Sequence, residues 1–287
     1  MSKHLGLKRI TAAVVGGLSS LALLMTGSPP AAANDGQLYL ALGDSVVFGY
    51  IFQAGFEYGN PHNFVGYPDY AGQALRFTAT NASCPGEATA GFSSATGADN
   101  GCRGFRSFAP LHVSYTGTQL SFATGFLAAH PNTRLVTIGL GANDLFLLQS
   151  ACLGNPTCIT NGLPSALATI STNMGAILGA LRATNFHGVL MVVNYYSLDY
   201  SDAAGTGLTK LLNQAVTSSA AADHAVVADV FDAFMSAAST AGGKTCNAGL
   251  LNASPANQFL CDVHPSQSGQ QLLAQTVENA YAVATEG

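Results

Sequence analysis

The sequence predicts an α/β fold, with a central parallel sheet of about five strands and crossover helices. Three observations carry that reading. Short runs rich in Val, Ile and Leu alternate with longer segments of helical period. Gly, Pro and Asn punctuate most of the boundaries between them. Several of the apolar runs end in polar, glycine-marked turns, as strands do where a parallel sheet meets its ligand.

In chain order, the expected strands are 37–42 (QLYLAL), 110–115 (PLHVSY), 134–140 (RLVTIGL), 188–195 (GVLMVVNY) and 225–230 (AVVADV). Their β-branched content and Gly or Pro flanks support most of them, the second least. The expected helices are 118–129, 164–184, 205–222 and 267–284. Asn161-Gly162 ahead of Pro164 marks a helix start. Residues 51–106 show no strong period and are dense in Gly, Asn, Ser and aromatics, with a short helix expected near 68–77. So long an aperiodic stretch within a domain reads as a functional insertion, here one that walls one side of a site. The plainer alternative is a surface loop that packs its aromatics into the core.

The first 33 residues read as an export signal: Lys3, Lys8 and Arg9, then the apolar TAAVVGGLSSLALLM, then AAA at 31–33. Gly16, Gly17, Ser19 and Ser20 interrupt that stretch, which favours cleavage over a retained anchor. A single mature domain is expected over 34–287, with no stable membrane anchor, in a secreted or periplasmic setting. Losing three cations takes the formal charge from −5 to −8. With no basic cluster, nucleic acid is not an expected partner. Charged residues make up 9% and hydrophobic ones 48%, so the surface is expected to be Ser-, Thr-, Asn- and Gly-rich and to leave apolar area near a site.

Six cysteines in an exported chain read as three disulfides. Loop closure favours near neighbours: Cys84 with Cys102, Cys152 with Cys158, and Cys246 with Cys261. No CxxC spacing or adjacent histidine suggests a metal site instead, and no cofactor is expected.

Four stretches carry candidate chemistry: Gly43-Asp44-Ser45, Tyr115-Thr116-Gly117, Gly141-Ala142-Asn143-Asp144, and LCDVHPSQSG with Asp262 and His264. Topology brings the ends of parallel strands to one sheet edge. A serine hydroxyl becomes a nucleophile when a base takes its proton, a role His264 fits. Asp262 would hold the imidazole tautomer. Backbone N–H groups of Ser45 and Gly117, with the Asn143 amide, would meet a developing oxyanion. Each has a structural alternative: Gly-Asp-Ser is also turn chemistry, Asn143-Asp144 also a helix cap, and His264-Pro265 also a helix entrance. His62, His112, His130, His187 and His224 read as surface or core residues.

The four blocks together, GDSVVFG, the glycine of HVSYTGTQ, GAND and DVHPS, resemble those of the GDSL, or SGNH, hydrolases, across residues 37 to 284. The resemblance implies a three-layer α/β/α flavodoxin-like fold and hydrolysis of esters or thioesters. Carried over by position, it makes Ser45 the nucleophile, His264 the base, and Ser45, Gly117 and Asn143 the oxyanion hole. Two positions depart from the pattern. Cys261 stands where the family's acid usually does, three before the histidine, and Asp262 sits two before; residues two apart in an extended segment point the same way. The asparagine often found just ahead of the family's glycine is missing before Gly117, where His112 and Ser114 stand near that position.

AGGKT at 241–245 has Ala238 where a phosphate loop needs glycine, and neither GxSxG nor HExxH occurs. Asn81-Ala-Ser and Asn252-Ala-Ser are glycosylation sequons where the source has the machinery. A monomeric lipase or carboxylesterase acting on an ester substrate is the first expectation. Deacetylation of a polysaccharide is the second, and a catalytically silent glycan- or lipid-binding module the third.

Overall fold

β1 (Leu38–Gly43) alternates its side chains between two buried faces, which sets the layering of the whole molecule. The computed structural model describes residues 36–254 and 257–286; the expected signal at 1–33 lies outside them. The chain continues through α1 (Ser45–Phe48), α2 (Tyr67–Leu75), β2 (Thr78–Asn81), α3 (Thr89–Ser93), α4 (Cys102–Phe108), α5 (Gln119–Ala129) and β3 (Thr133–Gly139). There follow α6 (Ala142–Ala151), α7 (Pro156–Arg182), β4 (Val189–Val193), α8 (Ala203–Thr217), β5 (Ala225–Ala228) and α9 (Val230–Ala238). A hairpin of β6 (Leu251–Ser254) and β7 (Asn257–Pro265) precedes α10 (Gln267–Glu286).

Five parallel strands form the sheet in the order β2-β1-β3-β4-β5. On one face Leu40, Leu42, Val136, Ile138 and Val192 pack beneath α5, α7 and α8 through Leu127, Met174, Leu178 and Val216. On the other, Tyr39, Ala41, Leu135, Met191 and Val193 pack beneath α2, α9 and α10 through Tyr67, Phe234, Leu273 and Val277. Strands buried on both faces read as near-continuous apolar runs, which is why these were visible in the sequence. The result is a three-layer α/β/α sandwich.

The second strand departs from expectation. Residues 110–115 form neither helix nor strand, and the partner on the outer side of β1 is β2, at 78–81. Leu38 to Ala41 pair with Thr78 to Asn81, so the edge of the sheet is already taken. Residues 51–106 are therefore not simply an insertion, because they supply α2, β2, α3 and most of α4. The seventh helix also starts early. Asn155 caps it by accepting from Cys158 N at 3.1 Å, Pro156 opens it, and Pro164 lies inside.

The three disulfides join Cys84 to Cys102, Cys152 to Cys158 and Cys246 to Cys261, the expected pairs. Both sequon asparagines are engaged by backbone: Asn81 donates to the Val47 carbonyl and Asn252 to the Pro265 carbonyl, each at 2.9 Å. Among the described residues no helix is long and apolar enough to cross a membrane.

Candidate active site

The end of β1 can turn only through glycine. A Cβ on Gly43, where φ is 140°, would lie 2.1 Å from the Gly139 carbonyl oxygen. Buried Gln119 grips that turn on both sides, accepting from Gly43 N and donating to Gly43 O at 3.0 Å. Asp44 follows as the cap of α1, its carboxylate accepting from Val46 N at 2.9 Å. Ser45 is then the first residue of the helix, half-buried at the carboxyl end of the sheet.

Asp44 is itself fully enclosed. Tyr195 donates its hydroxyl to Asp44 at 2.6 Å. Burial outweighs these hydrogen bonds and pushes its carboxyl up to about 6.

His264 arrives from the far end of the chain on β7. Its Nε2 lies 2.9 Å from Ser45 Oγ, and its Nδ1 lies 2.9 Å from both oxygens of Asp262. Asp262 also accepts from His264 N at 3.3 Å. Half-burial pushes the Asp262 carboxyl up, but the hydrogen bond and charge of His264 outweigh it and hold it below the ordinary carboxylate value. Tyr196 donates to the Val263 carbonyl at 2.6 Å, fixing the backbone between acid and base. Tyr50 packs its ring in a T-shaped contact on the imidazole, centroids 4.9 Å apart. The Cys246–Cys261 bond anchors the same strand beside Asp262.

Asn143 sits at the start of α6, almost wholly buried, behind Gly141 with φ of 132°. Its Oδ1 accepts from Asn100 at 2.9 Å, and its amide donates to the Glu87 carbonyl at 3.0 Å. The amide nitrogen donates its second hydrogen to Asp44 in a longer bond of 3.5 Å. Asp144 braces the loop beyond β2, accepting from Thr89 N at 3.0 Å and from its hydroxyl at 2.6 Å.

Ser45, His264 and Asn143 all line one cavity of about 890 Å³, with Asp262 behind the histidine. Gly117 does not join them. It borders a separate cavity of about 60 Å³ with Glu87, Arg103 and Arg106, and its carbonyl accepts from Arg106 at 3.0 Å. Four glycines line the main cavity, Gly86, Gly101, Gly104 and Gly205; Gly86 has φ of 83°, and a Cβ there would lie 2.6 Å from the Asn100 carbonyl oxygen. The signal was present as NASCPGE, with Asn81 ahead of Gly86, but it sat in a stretch read as an insertion. What the TGTQ turn contributes is Gln119.

The cavity walls are largely apolar: Phe105 and Phe108 from α4, Leu145 and Leu148 from α6, Leu163 from α7, Leu208 and Leu212 from α8. Among the described residues no group of three or more His, Cys, Asp or Glu is placed to hold a metal ion. A hydrogen-bonded serine, histidine and acid beside buried amide donors is the arrangement of nucleophilic acyl transfer.

The model of the GDSL-like lipase/acylhydrolase family matches residues 41–272, from β1 into the last helix. The chain belongs to that family. It is thereby an ester hydrolase. Among solved structures of similar fold is a phospholipase A1 from Streptomyces albidoflavus. It is 18% identical, covers 85% of this chain and 99% of its own, and superposes with a TM-score of 0.56. A lipase from a goat rumen metagenome is 16% identical, with coverage of 85% and 96% and a TM-score of 0.53. An acetyl xylan esterase from Geobacillus stearothermophilus is 14% identical, with coverage of 86% and 94% and a TM-score of 0.53. At such identities the likeness is one of fold. No curated protein matches in sequence.

Proposed function

We propose that this GDSL-family hydrolase is an exported lipase or carboxylesterase that cleaves esters of apolar acyl chains through an acyl-enzyme on Ser45. The observation that carries this reading is the unbroken chain Ser45–His264–Asp262 opening into an apolar cavity. Ser45 Oγ attacks the ester carbonyl carbon while His264 Nε2 takes its proton. Asp262, kept ionised, holds Nδ1–H and stabilises the imidazolium that forms. The carbonyl oxygen becomes an oxyanion and meets the N–H groups of Ser45 and Gly86 and the amide hydrogen of Asn143 that otherwise reaches Asp44 at 3.5 Å. Gly86 replaces Gly117 in this scheme because it borders the same cavity as Ser45. Collapse expels the alcohol, protonated by His264. A water, deprotonated by the same Nε2, then attacks the acyl carbon and releases the acid and Ser45.

The Leu and Phe walls favour an alkyl chain over a sugar, and the absence of a basic cluster gives no handle for a charged headgroup. Three disulfides support an oxidising, extracellular setting. The test is turnover of p-nitrophenyl esters from acetate to palmitate. The expected profile peaks at medium or long chains. A profile confined to acetate would contradict the lipase reading and favour a deacetylase, and no turnover of any ester by folded, oxidised protein would favour the binding module.

A further inference from the structure

We propose that Gly104 sets the length of apolar chain that the active-site cavity admits, by leaving a notch in the wall formed by α4. Four residues on and just ahead of this helix line the cavity: Gly101, Gly104, Phe105 and Phe108. Gly104, Phe105 and Phe108 lie one, three and four residues apart on one helical stripe, so the helix presents one glycine and two phenylalanines to the substrate space, with Gly101 at its cap just ahead. The two glycines have different reasons to be there. Gly101 lies at φ of 121°, a conformation that side chains rarely adopt. Gly104 is not among the residues of positive φ, and a Cβ built on it meets no atom within 4 Å.

Neither backbone nor packing therefore calls for glycine at 104, although glycine is a poorer helix former than alanine. The room it leaves lies on the cavity stripe. The helix cannot shift to close that room. Cys102 is bonded to Cys84, two residues before Gly86. Arg103 pairs with Asp99 at 2.8 Å and donates to the Ala95 and Gly97 carbonyls at 3.3 and 2.8 Å. Arg106 donates to the Tyr115 and Gly117 carbonyls at 2.5 and 3.0 Å. The notch is thus a fixed feature beside the loop that carries Gly86, bordered by Phe105 and Phe108. Its chemistry suits a run of methylenes, on the acyl or the alcohol side of the ester.

This inference rests on the proposed ester chemistry, and the experiment separates the two. The ratio of kcat/KM for p-nitrophenyl laurate to that for p-nitrophenyl acetate is measured in wild type, Gly104→Ala, Gly104→Leu and Ser107→Leu, with n-dodecyl and ethyl acetate as the alcohol-side pair. Since one methylene in an apolar pocket discriminates by roughly tenfold or more, Gly104→Leu is expected to lower the long-to-short ratio at least about tenfold in one of the two series. Which series moves identifies the arm that occupies the notch. Gly104→Ala is expected to fall between, with a Tm at or above that of wild type. Ser107→Leu, exposed and absent from the cavity wall, loses the hydroxyl that donates to the Gly104 carbonyl at 2.6 Å but adds nothing to that wall, and is expected to leave both ratios unchanged. Unchanged ratios in both glycine variants overturn the notch while leaving the catalytic reading intact. Wild-type protein that hydrolyses none of these esters overturns the catalytic reading and the notch together.

Discussion

Asn143 shows how much of this site depends on single hydrogen atoms. Its carbonyl is committed to Asn100 and one amide hydrogen to Glu87, while the other makes only a long contact of 3.5 Å with Asp44 that an oxyanion can take over. Asn143→Ala is accordingly expected to lower kcat by about 10²–10³ with little change in KM. Gly117→Ala is expected to behave differently. It strains a turn at φ of 74° and brings a methyl within 3.1 Å of Ser121 Oγ, so Tm falls while kcat stays within about twofold. Steady-state kinetics and thermal melts on the two variants check this, and equal losses of kcat would restore Gly117 to the oxyanion hole. At this scale the sequence disclosed what local chemistry marks. Ser45 follows a Gly-Asp turn at a strand end, and Asp262 reaches His264 because residues two apart share a side. Gln119, Asn100 and Tyr195 act through contacts 43 to 151 residues away in sequence, and no local pattern announces them.

Among the elements, legibility followed burial. β1, β3 and β4 lie inside the sheet and are largely apolar, so their runs were plain in the sequence and their edges off by a residue or two. β2 is four residues long, reads TATN, and sits at the edge with three of its four side chains not fully buried. Nothing in so short and polar a run distinguishes it from loop. PLHVSY carries the stronger strand propensity, yet its residues are used elsewhere: Leu111 is buried with Phe48 and Phe105, and His112 contacts the Phe48 carbonyl at 3.0 Å. Tertiary packing overrode propensity there. The early start of α7 has a similar lesson, because Asn161-Gly162 ahead of Pro164 marked a helix start while Asn155-Pro156, which has the same Asn-then-Pro character, lies further upstream. Asn155 makes the cap, and Pro164 is accommodated in the helix that follows.

Across the whole molecule, buried acids couple stability to pH. Burial pushes Asp44 up to about 6 and Glu87 up to about 7, and it raises Asp69, Asp144 and Glu278 as well. A raised acid binds its proton more tightly in the native state than in the unfolded chain. Its stabilisation is complete below the unfolded value and is lost as pH climbs through the folded one. Asp262, held low by His264, acts with the opposite sign and loses its contribution as pH falls. The raised groups outnumber it, so Tm is expected to fall by roughly 5 °C or more between about pH 4.5 and 7.5. Glu87→Gln is expected to flatten the upper part of that decline. A melt series that rises monotonically over the same window would contradict the assignment.

The most direct test of the central claim is to treat the protein with an organophosphate that forms a stable ester on activated serines, then map the adduct by mass spectrometry. The account predicts one adduct, on Ser45, formed in step with loss of esterase activity and absent from His264→Ala, where no base is left to activate the hydroxyl. An adduct on another residue, or ester turnover that survives full modification of Ser45, would mean that the nucleophile lies elsewhere.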